Sequence, residues 1–162
     1  MALNAYMRLT GETQGEIIGP VTLRGREDSI QVIAVNHNVN SPRDAASGLP
    51  SGKRQHKPLT ITKEIDMASP LLMNILVNNE NITNLVIRFW TPSLTGKEIQ
   101  FYTVELKDAS IADIHFEMLN NKYPENMQHK EREHVSFCYR RITWTYEDGG
   151  ITAEDEWETP NV

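Results

Sequence analysis

The feature that most narrows what this chain can fold into is a two-residue alternation of apolar and polar side chains, which recurs in segment after segment. That period belongs to strands that bury one face and show the other to solvent or to a partner. Ile30-Gln31-Val32-Ile33-Ala34-Val35 is β-branched and almost wholly apolar. Residues 59–65 put Leu59, Ile61 and Ile65 on one side, with threonine and charge expected on the other. Residues 85–90 and 99–106 read as two more strands. Between them Thr91-Pro92-Ser93-Leu94-Thr95-Gly96 carries the proline and glycine of a hairpin turn. Residues 135–146 read as one long strand, with Cys138, Arg140, Ile142, Trp144 and Tyr146 on one face and Phe137, Tyr139, Arg141, Thr143 and Thr145 on the other. Bulky groups on both faces fit a strand whose inner side meets a core and whose outer side meets a neighbouring subunit.

One helix interrupts this pattern. Ser69-Pro70 offers an N-cap followed by proline at the first helical position, Leu72, Ile75 and Leu76 follow at helical spacing, and Asn78-Asn79 closes the segment. Two stretches show no period. Residues 38–54, rich in Ser, Pro, Gly and Asn, read as a long structureless loop, and loops of that length are usually functional or disordered. Residues 120–133 read as polar and irregular, and the acidic residues 153–158 as a solvated end. Nothing marks a second domain, so the 162 residues are expected to form one unit.

Composition removes several functions. A formal net charge of -6 opposes a general nucleic-acid binder, which needs a basic face to displace counterions. Cys138 is the only cysteine, so an intrachain disulfide is impossible, and its place in an alternating strand marks it as a small core residue. His37, His56, His115, His129 and His134 lack zinc-type spacing and read as surface histidines; no metal or other cofactor is expected. The glycine pairs Gly48/Gly52 and Gly149/Gly150 match neither phosphate-cradling pattern. Arg140 and Arg141 near Trp144 and Tyr146 could form a stacking platform, but arginine stems covering apolar surface are the favoured reading. The start of the chain carries no basic region followed by an apolar run, and no stretch reaches transmembrane length. Synthesis in the cytoplasm, no membrane insertion and no cleaved signal peptide are expected, with export by a machine that bypasses such peptides left open.

Lys57-Pro58-Leu59-Thr60-Ile61-Thr62-Lys63-Glu64-Ile65-Asp66-Met67-Ala68-Ser69-Pro70-Leu71-Leu72 resembles the signature of the Hcp family: a strand of the form P-x-x-x-T-K-x-x-D leading into a Ser-Pro-Leu-Leu helix start. Tyr139-Arg140-Arg141-Ile142-Thr143-Trp144 resembles that family's late Y-x-x-I-x-W strand, and Ala5-Tyr6-Met7-Arg8-Leu9-Thr10-Gly11 its first strand. The resemblance spans nearly the whole chain. It implies a mainly β fold, a β-barrel of two antiparallel sheets with one flanking helix over residues 69–79, and no catalytic residue. It also implies hexameric rings stacked into the inner tube of a type VI secretion system, within a contractile sheath, topped by a spike and built on a baseplate. The tube would be secreted and would carry small effectors in its lumen.

Under that resemblance residues 38–54 are expected to stack rings. Pro42 and Pro50 limit the loop's freedom; Arg43, Asp44, Lys53 and Arg54 supply docking charges; Ser47, Gly48 and Leu49 form its tip. Tyr139, Arg141, Thr143 and Thr145 are the expected subunit-interface positions. The alternatives are a monomeric barrel that grips a glycan or peptide through Arg140, Trp144 and Tyr146, and a phage tail-tube protein.

Overall fold

A computed structural model of the chain describes residues 4–157. The start of the chain and Glu158 at the acidic end, both read above, lie partly or wholly outside the described residues. The protein is mainly β. In chain order the strands are β1 (Asn4–Gly11), β2 (Gly15–Glu16), β3 (Ile30–Val32), β4 (Ala34–Asn36), β5 (Val39–Asn40), β6 (Gln55–His56) and β7 (Leu59–Glu64); helix α1 (Ser69–Val77) follows. Then come β8 (Ile82–Pro92), β9 (Glu98–Glu117), β10 (Arg132–Cys138), β11 (Arg141–Tyr146) and β12 (Ile151–Glu156).

All the pairings are antiparallel, and β9 belongs to two layers. Its first half lies between β8 and β11, with β1 beyond β8 and β12 beyond β11. Its second half pairs with β10, which continues to β7 and β4. The expected two sheets and flanking helix are therefore present, but hydrogen bonds do not close the barrel. Between β3, paired to β1, and β4, paired to β7, the chain itself crosses from sheet to sheet at Ile33, whose N–H bonds the carbonyl of Thr62 at 2.8 Å. The segment expected as one strand over residues 30–35 is thus two short ones.

A similar crossing splits the long strand expected over residues 135–146. Val135, Phe137 and Tyr139 face inward, yet beyond Arg140 it is Ile142 that is buried and Trp144 that packs on the core. The inward parity of β9 changes at the same level: Val104 and Leu106 are buried before Asp108, Ala109 and Ile111 after it. Asp108 lies between the two runs, with a left-handed φ of 50° that aspartate tolerates. The Arg140 N–H lies 3.2 Å from both the Lys107 and the Asp108 carbonyls and ties the two irregularities together.

The core is one cluster drawn from both sheets, including Met7 and Leu9 of β1, Ile61 of β7, Ile87 of β8 and Phe137 of β10. Helix α1 adds Leu72 and Ile75, while Met73 and Val77 on its other side stay exposed. Ser69 is the first helical residue rather than the cap. Ala68 takes the cap position, where its N–H bonds Asp66 Oδ1 at 2.9 Å, and the Ser69 hydroxyl accepts the Asp66 N–H at 3.0 Å.

On β7 the expected separation of charge from apolar residues fails. Lys63 shares the inward face of Leu59 and Ile61 and is wholly buried, whereas Ile65 is 42% exposed. The lysine is accommodated because its ammonium reaches Glu133 Oε1 at 2.7 Å, the Ser69 hydroxyl at 2.9 Å, the Glu64 carbonyl and Asp66 Oδ1, both at 3.1 Å. A buried charge persists only with such partners. Glu133, expected in an irregular stretch, is therefore a buried residue of β10.

Residues 19–29 fold over the outer face of the first sheet. Gly19 is pinned there by its N–H bond to the Asp28 carbonyl at 2.9 Å, and a Cβ at this position would come within 2.3 Å of the Ser29 carbonyl oxygen. Gly19→Ala is expected to cost about 1–3 kcal/mol in urea unfolding, since backbone rather than a flexible side chain must yield. Beneath this flap the Arg26 guanidinium stacks 4.2 Å from the Trp90 ring centroid and 5.0 Å from that of Tyr6.

Candidate functional site: the arm and its root

The segment read as a structureless loop is an ordered hairpin arm. β5 and β6 pair through Val39 with His56 and Asn40 with Gln55, and Arg43 bridges to Pro50 further out. The Ser51 N–H bonds the Pro42 carbonyl at 3.0 Å, and the Asp44 N–H bonds that of Leu49 at 2.8 Å. At the tip the Asp44 carboxylate accepts the Ser47 hydroxyl at 2.6 Å and the Ser47 N–H at 3.1 Å, an Asx-type turn that local polar residues favour. The Ser47 hydroxyl is the largest of the interactions that hold the Asp44 carboxyl below its ordinary range. Gly48 follows at φ 74°, where a residue with a side chain would be strained. Leu49 stands out at 65% exposure on this rigid tip, and Lys53 is exposed on the returning side.

The root of the arm is held by residues that read singly as unremarkable. Arg54 forms a two-pronged ion pair with Asp155 of β12: its Nη2 is 2.7 Å from Oδ1, its Nε bonds Oδ2, and Nη2 also reaches the Glu156 carbonyl at 2.8 Å. That guanidinium is the main reason the Asp155 carboxyl titrates below its usual value. His56 is buried, contrary to the surface placement expected of the histidines. Its Nε2 lies 2.7 Å from Asp155 Oδ2 and its Nδ1 2.7 Å from the Tyr139 hydroxyl. The same hydroxyl is 2.7 Å from His37 Nε2. His37 is held below its ordinary pKa chiefly by burial and then by His56. Burial, reinforced by the Asp155 charge, pushes the Tyr139 phenol up. Trp157 closes the cluster, its ring 5.7 Å from those of both His56 and Tyr139.

Of the expected interface positions, Tyr139 is buried in this root. Arg141 is paired to Glu156 across the β11–β12 ladder, with Nε 3.0 Å from Oε1, and Thr143 and Thr145 lie half-buried on the outer face of β11. Residues 153–156 of the expected solvated acidic end thus belong to strand β12, where Asp155 and Glu156 answer Arg54 and Arg141. Cys138 does not enter the core as expected. It sits half-buried on the outward side of β10, its thiol pKa raised by burial. Trp144 packs against the core, leaving Arg140 and Tyr146 exposed without it. Among the described residues no group of three or more His, Cys, Asp or Glu is placed to hold a metal ion, and no helix is long and apolar enough to cross a membrane.

Sequence reasoning missed His37, His56 and Asp155 because their partners lie 83 to 102 positions apart. One signal was available: His37 and His56 stand at the two ends of the aperiodic segment, where a hairpin's strands must meet.

The chain is thus of the open antiparallel β-barrel class, with one flanking helix and an ordered hairpin arm rooted on β12. The profile described as "Type VI secretion system effector, Hcp" matches residues 6–146. The chain is 41% identical to the "Major exported protein" of Pseudomonas aeruginosa, over 99% of this chain and 98% of that one. A crystal structure of an Hcp protein superposes with a TM-score of 0.90 at 31% identity, covering 98% of this chain and all of the other. Hcp3 of P. aeruginosa gives 0.80 at 35% identity, over 98% of this chain and 100% of its own. The chain belongs to the Hcp family of type VI secretion tube proteins.

Proposed function

We propose that this protein is the subunit of a secretion tube. Six copies close into a ring, rings stack through the arm, and the tube is exported with small effectors in its lumen, driven by the sheath and baseplate behind a spike. What carries this reading is the arm: a hairpin of internal hydrogen bonds that places Leu49 in solvent on a rigid tip. Ordering such a segment costs conformational entropy that a partner surface offsets, and an apolar side chain held rigidly away from its own core has found no cover in its own chain. Pro42, Arg43, Asp44, Ser47, Gly48 and Pro50 shape that arm, while Lys53 and Arg54 set its lower part. Within the ring, the outer face of β11 with Thr143, Thr145 and the Arg141–Glu156 pair is the contact for the neighbouring subunit, supported from beneath by Tyr139. Closure by cyclic symmetry repeats one interface around the ring.

Native mass spectrometry tests the ring. The expected species has six chains. A protein that stays monomeric at tens of micromolar, about where weak interfaces associate, overturns the proposal and favours a monomeric binding module.

A further inference from the structure

We propose that His37, Tyr139, His56 and Asp155 form a protonation-counting clasp at the root of the arm, which tolerates one added proton and opens on the second. The proposal rests on the reading of the arm as the stacking element and supplies its regulation.

The argument is one of donors and acceptors. Asp155 Oδ2 can only accept, so the His56 Nε2 facing it at 2.7 Å carries a proton. A neutral His56 then offers Nδ1 as an acceptor, and the Tyr139 O–H, 2.7 Å away, donates to it. The tyrosine oxygen is left to accept from His37 Nε2–H at 2.7 Å. Each bond is satisfied by one arrangement of tautomers, with both imidazoles neutral.

Add one proton to His56 and its Nδ1–H donates to the tyrosine oxygen. The phenol turns its own proton towards His37 Nε2, which accepts it in the other tautomer. The chain reverses direction and stays closed. Add a second proton, to His37, and both histidines become donors to a single oxygen. The tyrosine proton then has no acceptor in the chain, and two imidazolium charges flank one buried hydroxyl.

The charged and titratable groups that face this pair come from three elements. Arg54 stands beside His56 on the returning limb of the arm, Cys138 and Tyr139 lie at the β10–β11 break, and Asp155 lies on β12. Among these described residues the one anion is Asp155, already engaged by the Arg54 guanidinium. The second imidazolium is therefore uncompensated.

The sign follows from the direction of the shift. Burial first, and His56 second, hold the folded His37 below its ordinary value of 6.5. The latched state thus binds fewer protons than the open one, so latching is complete above 6.5 and is lost progressively as the pH falls below it. Asp155, whose carboxyl is depressed by Arg54, keeps its charge until the pH falls below its ordinary 3.8, so its loss belongs to a separate, more acidic window.

The test is amide hydrogen exchange on the full chain at pH 7.5 and pH 5.0, with rates corrected for intrinsic chemistry and at a concentration where rings do not stack. The Lys57 N–H, bonded to the Asn38 carbonyl, reports the root of the arm; amides of the β1–β8 ladder serve as the reference. The expected result is a fall in root protection of at least about threefold at pH 5.0, because the latched state binds fewer protons than the open one, with the reference unchanged. His37→Gln keeps a side chain that can donate or accept at the Nε2 position and cannot take a second proton, so its root protection should be flat with pH. Tyr139→Phe removes the shared oxygen and should open the root at both pH values. A wild-type root that stays equally protected at both pH values overturns the clasp, as does a His37→Gln root that opens just as the wild type does. Tube growth followed in the same samples at stacking concentration separates the two readings. Tubes that grow equally well while the root opens leave the clasp standing and remove the arm from stacking.

Discussion

Replacing Lys63 by methionine should destabilise the protein by about 3–5 kcal/mol, the range found when one member of a buried ion pair is removed. The lysine is wholly buried, and its ammonium joins β7 to β10 through Glu133 and to the start of α1 through Ser69 and Asp66. Without it, the Glu133 carboxylate keeps, among the described residues, the Ser69 hydroxyl at 2.9 Å. Removing both charges should hurt less than removing one. Lys63→Met combined with Glu133→Leu is expected to recover at least about half of the loss, because no uncompensated charge remains. Urea unfolding of the three proteins at one fixed concentration reads both effects; the fixed concentration matters because association adds to apparent stability. A single variant within about 1 kcal/mol of the parent would mean that the lysine packs as an aliphatic chain and its pairing contributes little.

The same lysine shows where the fold was legible and where it was not. Alternation placed β7, β8 and the first half of β9 correctly, because a strand that buries one face writes its geometry into a two-residue period, while β1 was marked by the family resemblance alone. Ser69-Pro70 marked the start of α1, and Pro92 with Gly96 marked the hairpin, whose Ser93 N–H bonds the Lys97 carbonyl at 2.6 Å. Lys63 broke the rule that charge faces outward, since its partners lie 3 and 70 positions away and only tertiary structure brings them inside.

The strands that change sheet defeated the period altogether. Once the chain crosses at Ile33, at Asp108 or at Arg140, the buried parity flips, and a reading that carries one parity through the crossing misassigns every side chain beyond it. Cys138 looked like a core residue for this reason. β12 hid for another: Glu154-Asp155-Glu156 has the composition of a solvated tail, and its strand conformation comes from the pairing with β11 and from Arg54 and Arg141. Of the arm, its length and turn residues were visible, but its order was not. The Asp44 turn is local, whereas the root is assembled from β6, the β10–β11 break and β12.

That division of the arm into a local tip and a tertiary root makes the second large effect specific. Replacing residues 45–52 by a short Gly-Ser link should leave six-membered rings intact and abolish tube growth and export. The excised segment holds Leu49 and the Gly48 turn but none of the root contacts, since Arg54, His56 and His37 lie outside it and keep their bonds to Asp155 and Tyr139. The outer face of β11 is likewise untouched. Stability in urea should therefore change by less than about 1 kcal/mol, as for surface changes away from buried networks. Ring formation is read by native mass spectrometry, tube growth by electron microscopy and export by the amount of protein in the medium. A shortened arm that still supports tubes of normal length would take stacking away from the arm. Loss of the ring itself would place the tip in the lateral contact between neighbours. Leu49→Asp narrows the question to one side chain: a charge on the apolar tip should reduce tube growth nearly as much as the excision, because burying it against the next ring without a partner costs several kcal/mol per contact.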